Sequence, residues 1–166
     1  AVVFAKNEKH KQSLMFSGMD QLPEKAQKRL RSSWAETFYQ ELFCRIDESV
    51  FSVLYSEKKS RPNTPVNILV GLDTLKSGYG WSDEELYDNY LFDLQVRYAL
   101  GLRELDEGCF DLRTLYNFRA SVVQYEREHG VNLIAQAMER ITDGQIRRFE
   151  VKTGMQRMDS TQIQSN

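Results

Sequence analysis

The chain has 166 residues, 41% apolar and 28% charged, with a net charge of −2, the profile of an ordinary globular protein of one domain. That balance excludes a uniformly basic nucleic-acid binder but leaves room for local basic patches. Two cysteines, Cys44 and Cys109, and two histidines, His10 and His129, are too far apart in sequence to suggest a zinc site, a disulfide framework or a histidine-based nucleophile. Reduced thiols and a cytoplasmic location are expected, no signal-peptide pattern opens the chain, and no apolar run is long enough to span a bilayer.

Residues 1–21 show no sustained period and read as a loose lead-in, with a short ordered piece near Leu14, Met15 and Phe16. Pro23 then opens a first helix at a position where a missing N–H is harmless. Leu30, Trp34, Phe38, Leu42 and Ile46 recur every four residues, which predicts one apolar stripe on a helix of about six turns. Lys25, Lys28, Arg29 and Arg31 crowd the first half of that helix, against its macrodipole. They are either a solvated face or a surface that something else requires.

Asp47 is placed to cap a short second helix with Val50, Phe51, Val53 and Leu54. A polar, basic loop over residues 56–64 carries Lys58, Lys59 and Arg61. Pro65 opens a third helix with Ile68, Leu69, Leu72 and Leu75 inward, closed by the Gly78–Trp81 break. Ser82 and Glu85 form a capping box for a fourth helix, expected to run to Leu100 and stop at Gly101. Asp111 caps a fifth helix with Leu115, Phe118, Val122 and Tyr125 inward, and Gly130 stops it. Asn132 opens a sixth, and Thr142 or Asp143 a seventh with Ile146 and Phe149. From Val151 the period shifts toward two, which predicts a strand over residues 155–163.

The third and fourth helices have the short join of a helix-turn-helix unit. The fourth meets Asp83, Glu84, Glu85, Asp88 and Asp93 before its first base, Arg97, a charge order that repels phosphates. It is a packing element whose acids face solvent or another protein. The fifth helix is better suited: Arg113, Asn117, Ala120, Gln124 and Arg127 share a face opposite the apolar stripe, and Arg, Asn and Gln match base edges. The same stripe also fits an ordinary exposed polar face. Arg119 follows Phe118 directly, so it is either a phosphate contact or a structural bridge to an acid of the fourth helix. Arg147, Arg148, Lys152 and Arg157 outnumber Asp143 and Glu150, giving local positive charge ahead of Asp159. Asp159 itself is either a strand-mounted carboxylate for a hard cation or part of a polar turn.

Several stretches together resemble the front part of bacterial insertion-sequence transposases of the DDE class, whose catalytic domain is RNase H-like. They are Ile46-Asp47-Glu48 with Phe51, Leu54-Tyr55-Ser56, Ser60-Arg61-Pro62-Asn63 and Pro65-Val66-Asn67, then Ser82-Asp83-Glu84-Glu85-Leu86. After these come Arg97-Tyr98-Ala99-Leu100-Gly101-Leu102, Arg113-Thr114-Leu115 with Phe118-Arg119, and finally Arg157-Met158-Asp159-Ser160-Thr161. The resemblance covers roughly residues 22–166. It implies a mainly helical DNA-binding and assembly domain over residues 22–152. Residues 153–166 would then be the first strand of a truncated catalytic domain. It further implies that Asp159 is the first of three carboxylates holding Mg²⁺ (or Mn²⁺) for DNA cleavage and strand transfer. Double-stranded transposon ends would be the partner, the complete enzyme would be a homo-oligomer, and no membrane would be involved. One carboxylate cannot hold the two metals that this chemistry uses, so the chain alone is expected to be inactive. The expected residues for DNA are Lys58, Lys59, Arg61, Arg113, Asn117, Arg119, Arg147 and Arg148. The rival reading is a free-standing helical protein-interaction or regulatory module that engages its partner through the acidic helix.

Overall fold

The computed structural model describes residues 4–11, 18–55 and 64–153. These form eight α-helices: α1 (Glu24–Arg31), α2 (Trp34–Glu41), α3 (Val66–Tyr79), α4 (Asp83–Phe92), α5 (Leu94–Ala99), α6 (Leu112–His129), α7 (Leu133–Ala137) and α8 (Asp143–Thr153). Short 3₁₀ turns at Lys9–Lys11, Gly18–Gln21, Phe43–Arg45 and Glu48–Leu54 fill the joins, and there is no strand among the described residues. The expected strand over 155–163, and Leu14 to Phe16, lie outside them.

The core is organised around α3. Every residue from Val66 to Leu75 is buried, because the helix is enclosed on all sides rather than resting one face on a neighbour. Its polar residues are therefore satisfied internally. Thr74 donates to the Val70 carbonyl, and Asn67 pairs with Asn7 and Glu48. Gly71 lets a neighbour approach: a Cβ there would meet Leu100 Cδ2 at 2.7 Å.

The long first helix is two helices. Ser33 caps α2 by accepting from the Ala35 N–H, and its hydroxyl donates to the Leu30 carbonyl, while Ser32 donates to Lys28. Two adjacent serines offer the backbone partners outside the helical ladder, and the rod breaks there. The apolar stripe survives the break, with Leu30, Phe38, Leu42 and Ile46 all buried and Trp34 half-buried. Asp93 splits the expected fourth helix in the same way, its carboxylate accepting from the Gln95 and Val96 N–H groups to start α5.

Other signals act as read. Ser82 and Glu85 form the capping box, Asp111 caps α6, and Gly130 (φ 69°) ends it in the left-handed conformation. Asp47 caps its segment, which is 3₁₀ rather than α. Thr142 and Gln145 cap α8 reciprocally.

Two expectations are corrected. Residues 151–153, read as strand-like, finish α8. Phe149 is fully buried against Phe38 and Trp34, so tertiary packing extends the helix past the point where the local pattern changes. The described part of the lead-in is also not loose. Asn7 N–H donates to Glu48, the His10 ring stands edge-on to Phe43 at 5.0 Å, and Met19 is buried.

Candidate nucleic-acid interface

The longest described helix, α6, is two-sided. Leu115, Phe118 and Val122 are buried, with Phe118 edge-on to Phe51 at 5.4 Å. The opposite face carries Arg113, Asn117, Ala120, Gln124 and Arg127, all exposed. Gln124 donates to Glu128 at 2.5 Å.

Arg119 stands apart from that face. Its Nε and Nη2 fork onto the Asp73 carboxylate, with the Nη2 contact at 2.6 Å, and Nη2 also reaches Asp83 at 2.8 Å. Lys76 joins Asp83 at 3.5 Å. Asp73 is only 3% exposed. Burial lifts the Asp73 carboxyl above its ordinary value, and Arg119 opposes that shift. Burial likewise works against the Arg119 charge, but its hydrogen bonds and charge pairing with Asp73 and Asp83 outweigh it and raise the guanidinium pKa. Asp83 is held below the usual carboxylate range, chiefly by its bond from Arg119. The cluster therefore ties α3, the start of α4 and α6 together as a charged, geometrically defined joint. Of the two roles open to Arg119 in the sequence, the geometry gives the structural bridge, and one acid of the pair comes from α4 as anticipated. The second acid, Asp73, gives no separate signal in a stretch that reads as plain core.

On α8, Arg147 and Arg148 are exposed. Arg148 approaches Glu41 at 3.5 Å, a carboxylate that also receives Gln145 at 2.7 Å and Arg45 at 3.7 Å. Lys58, Lys59, Arg61 and Asp159 lie outside the described residues. Among the described residues no three His, Cys, Asp or Glu side chains converge where a metal ion would sit. No described helix is long and apolar enough to cross a membrane.

Arg97, which the sequence marks only as the first base after the acids of the fourth helix, is a structural centre. It is 3% exposed and donates to the carbonyls of Tyr90, Glu104, Leu105 and Glu107. Arg103 lies over the Tyr98 ring at 3.9 Å and the Tyr39 ring at 4.7 Å. The signal available was an arginine set among apolar residues, Val96, Tyr98, Ala99 and Leu100.

The architecture is thus a helical domain around a buried central helix, with polar groups consumed inside and an outward Arg/Asn/Gln face on α6. The family model described as "Transposase domain (DUF772)" matches residues 26–121, more than half of the chain, and the chain belongs to that family. No curated protein and no solved structure matches it. The family gives the chain a transposase-related role.

Proposed function

We propose that this chain is the helical part of a transposase that binds transposon ends in double-stranded DNA and serves assembly of a homo-oligomeric enzyme. The observation that carries the DNA reading is the α6 stripe of Arg113, Asn117, Gln124 and Arg127, exposed and clear of the core. Those side chains fork onto guanine and adenine edges in a major groove, while Ala120 leaves room for close approach. Arg147 on α8 is a further cation for phosphates, and Lys58, Lys59 and Arg61 extend the basic material. In this reading Asp159 contributes one carboxylate to the Mg²⁺ or Mn²⁺ site of the complete enzyme.

The test is binding of the purified chain to labelled duplexes carrying the cognate element's ends and to random duplexes. The end duplex should bind more tightly. The double variant Arg113→Ala/Asn117→Ala should reduce that preference by about 1–3 kcal/mol per lost base contact without lowering the melting temperature. Equal binding to both duplexes, unchanged in the double variant, would mean that α6 does not read sequence, and binding of neither duplex would make the domain an assembly module instead. Supercoiled plasmid incubated with the chain and Mg²⁺ should remain uncut, since one candidate carboxylate does not complete a two-metal site. Cleavage lost on Asp159→Ala would refute that.

A further inference from the structure

The strongest unbalanced positive charge among the described helices is on α1, not on α6 or α8. Across Glu24–Arg31 this short helix carries Lys25, Lys28, Arg29 and Arg31 against Glu24 alone. All four cations are exposed, and Leu30 is the buried residue of the helix. Lys28 pairs with Glu24 at 3.3 Å. Lys25, Arg29 and Arg31 form no ion pair among the described residues.

The break at Ser32 and Ser33 puts Lys28, Arg29 and Arg31 in the last turn of α1, where the helix dipole favours cations. That accounts for their position but not for their number. Lys25 lies three residues from Lys28 and four from Arg29, and Lys28 lies three from Arg31. Such neighbours face one another on a helix and repel. Three repulsive pairs oppose one bridge, and the further acid on that side, Glu36, accepts from the Tyr98 hydroxyl near Arg31 rather than pairing with an α1 cation. On α6, by contrast, exposed Arg127 lies beside Glu126 and Glu128 in sequence, and Arg119 is spent on Asp73 and Asp83. On α8, Arg148 is drawn to Glu41.

We propose that α1 is the surface that grips the phosphate backbone of duplex DNA. It contributes sequence-independent affinity while α6 reads bases. The proposal rests on the reading of the chain as a DNA-binding part of a transposase. A polyanion answers four clustered cations that have little acid nearby. A membrane surface does not fit, because α1 exposes no large apolar side chain to insert: the exposed ones lie on other elements.

The experiment uses the full chain and two labelled duplexes, one with cognate ends and one random, titrated over a range of salt. Lys25→Ala/Arg29→Ala/Arg31→Ala should flatten the log-affinity against log-salt slope by about 0.9 for each cation removed. The flattening should be equal on both duplexes, leaving the preference for ends intact. Its melting temperature should stay the same or rise, since repulsion is relieved. Arg31 lies near Tyr98, so Lys25→Gln/Arg29→Gln serves as a second variant, expected to give about two thirds of the slope change. An unchanged slope in both variants, with DNA binding by the parent chain intact, overturns the α1 proposal alone. A loss confined to the end duplex overturns it too, by making α1 a sequence reader. If the parent chain binds neither duplex, the proposal and the DNA reading fall together.

Discussion

Arg119→Ala is expected to destabilise the chain by about 3–5 kcal/mol, because it leaves the Asp73 carboxylate buried without its partner. Asp73 is 3% exposed and receives three hydrogen bonds from the Arg119 fork. That loss is a large share of the roughly 5–15 kcal/mol that holds a domain folded. Arg119→Lys should recover little, since an ammonium cannot bridge Asp73 and Asp83 with the same planar fork. The double variant Arg119→Leu/Asp73→Leu should recover most of the loss, because it removes the unpaired charge along with the pair. Urea unfolding of the four proteins measures this. A cost below about 1 kcal/mol for Arg119→Ala would mean that the cluster behaves as a solvated surface pair. The same variants separate the two roles the sequence leaves open for Arg119: a phosphate contact would change the salt slope of DNA binding at constant stability, and a structural joint does the reverse.

The residues that made the chain recognisable are mostly of this structural kind. Within the stretches that carry the resemblance to insertion-sequence transposases, Ser82 and Glu85 are a capping box, and Asp47 caps a 3₁₀ segment. Glu48 and Asn67 bond each other in the interior, Phe51 and Phe118 pack edge to face, and Arg97 and Arg119 are internal ties. Caps and apolar stripes were legible because each depends on residues two to four apart in sequence. Asp73–Arg119 and Asn7–Glu48 were not, because they join positions 46 and 41 residues apart, and no local period encodes such a pairing. Helix lengths failed where Ser32, Ser33 and Asp93 offered side-chain partners inside a continuing apolar stripe. The stripe reports which side is buried and is silent on whether one rod or two carries it. The misjudged break also changed the meaning of the α1 cations: they sit at the end of a short helix, not at the start of a long one. The outward α6 face was legible as a polar stripe, yet its Arg119 neighbour turned inward by a shift of one position around the helix.

Arg97→Met should cost about 3 kcal/mol, from four carbonyls deprived of a charged donor inside the fold. Its effect should also spread along one route. The Arg97 guanidinium holds the carbonyls of Glu104, Leu105 and Glu107, which fixes the loop after α5. Glu107 in turn accepts from the Arg103 and Glu104 N–H groups and pairs with Lys9 at 2.6 Å. Glu104 accepts from the Gly18 N–H, and the Met19 N–H donates to the Arg103 carbonyl. The segment before α1 is thus anchored through a loop that Arg97 organises, and Gly101 (φ 78°) seats His10 beside it. Methionine matches the length of the arginine stem and leaves the packing against Tyr90 largely filled, so the loss reports the hydrogen bonds rather than a cavity. Hydrogen exchange at the Gly18 and Met19 amides should accelerate far more than exchange in the buried α3 helix, because a locally released unit opens before the core does. Lys9→Ala provides the contrast. Lys9 is mostly exposed, so removing its ion pair should cost less than about 1 kcal/mol and leave the Met19 amide protected. If Arg97→Met slows or leaves unchanged the exchange at Gly18 and Met19 while lowering overall stability, Arg97 supports the core directly and the loop is held by other contacts.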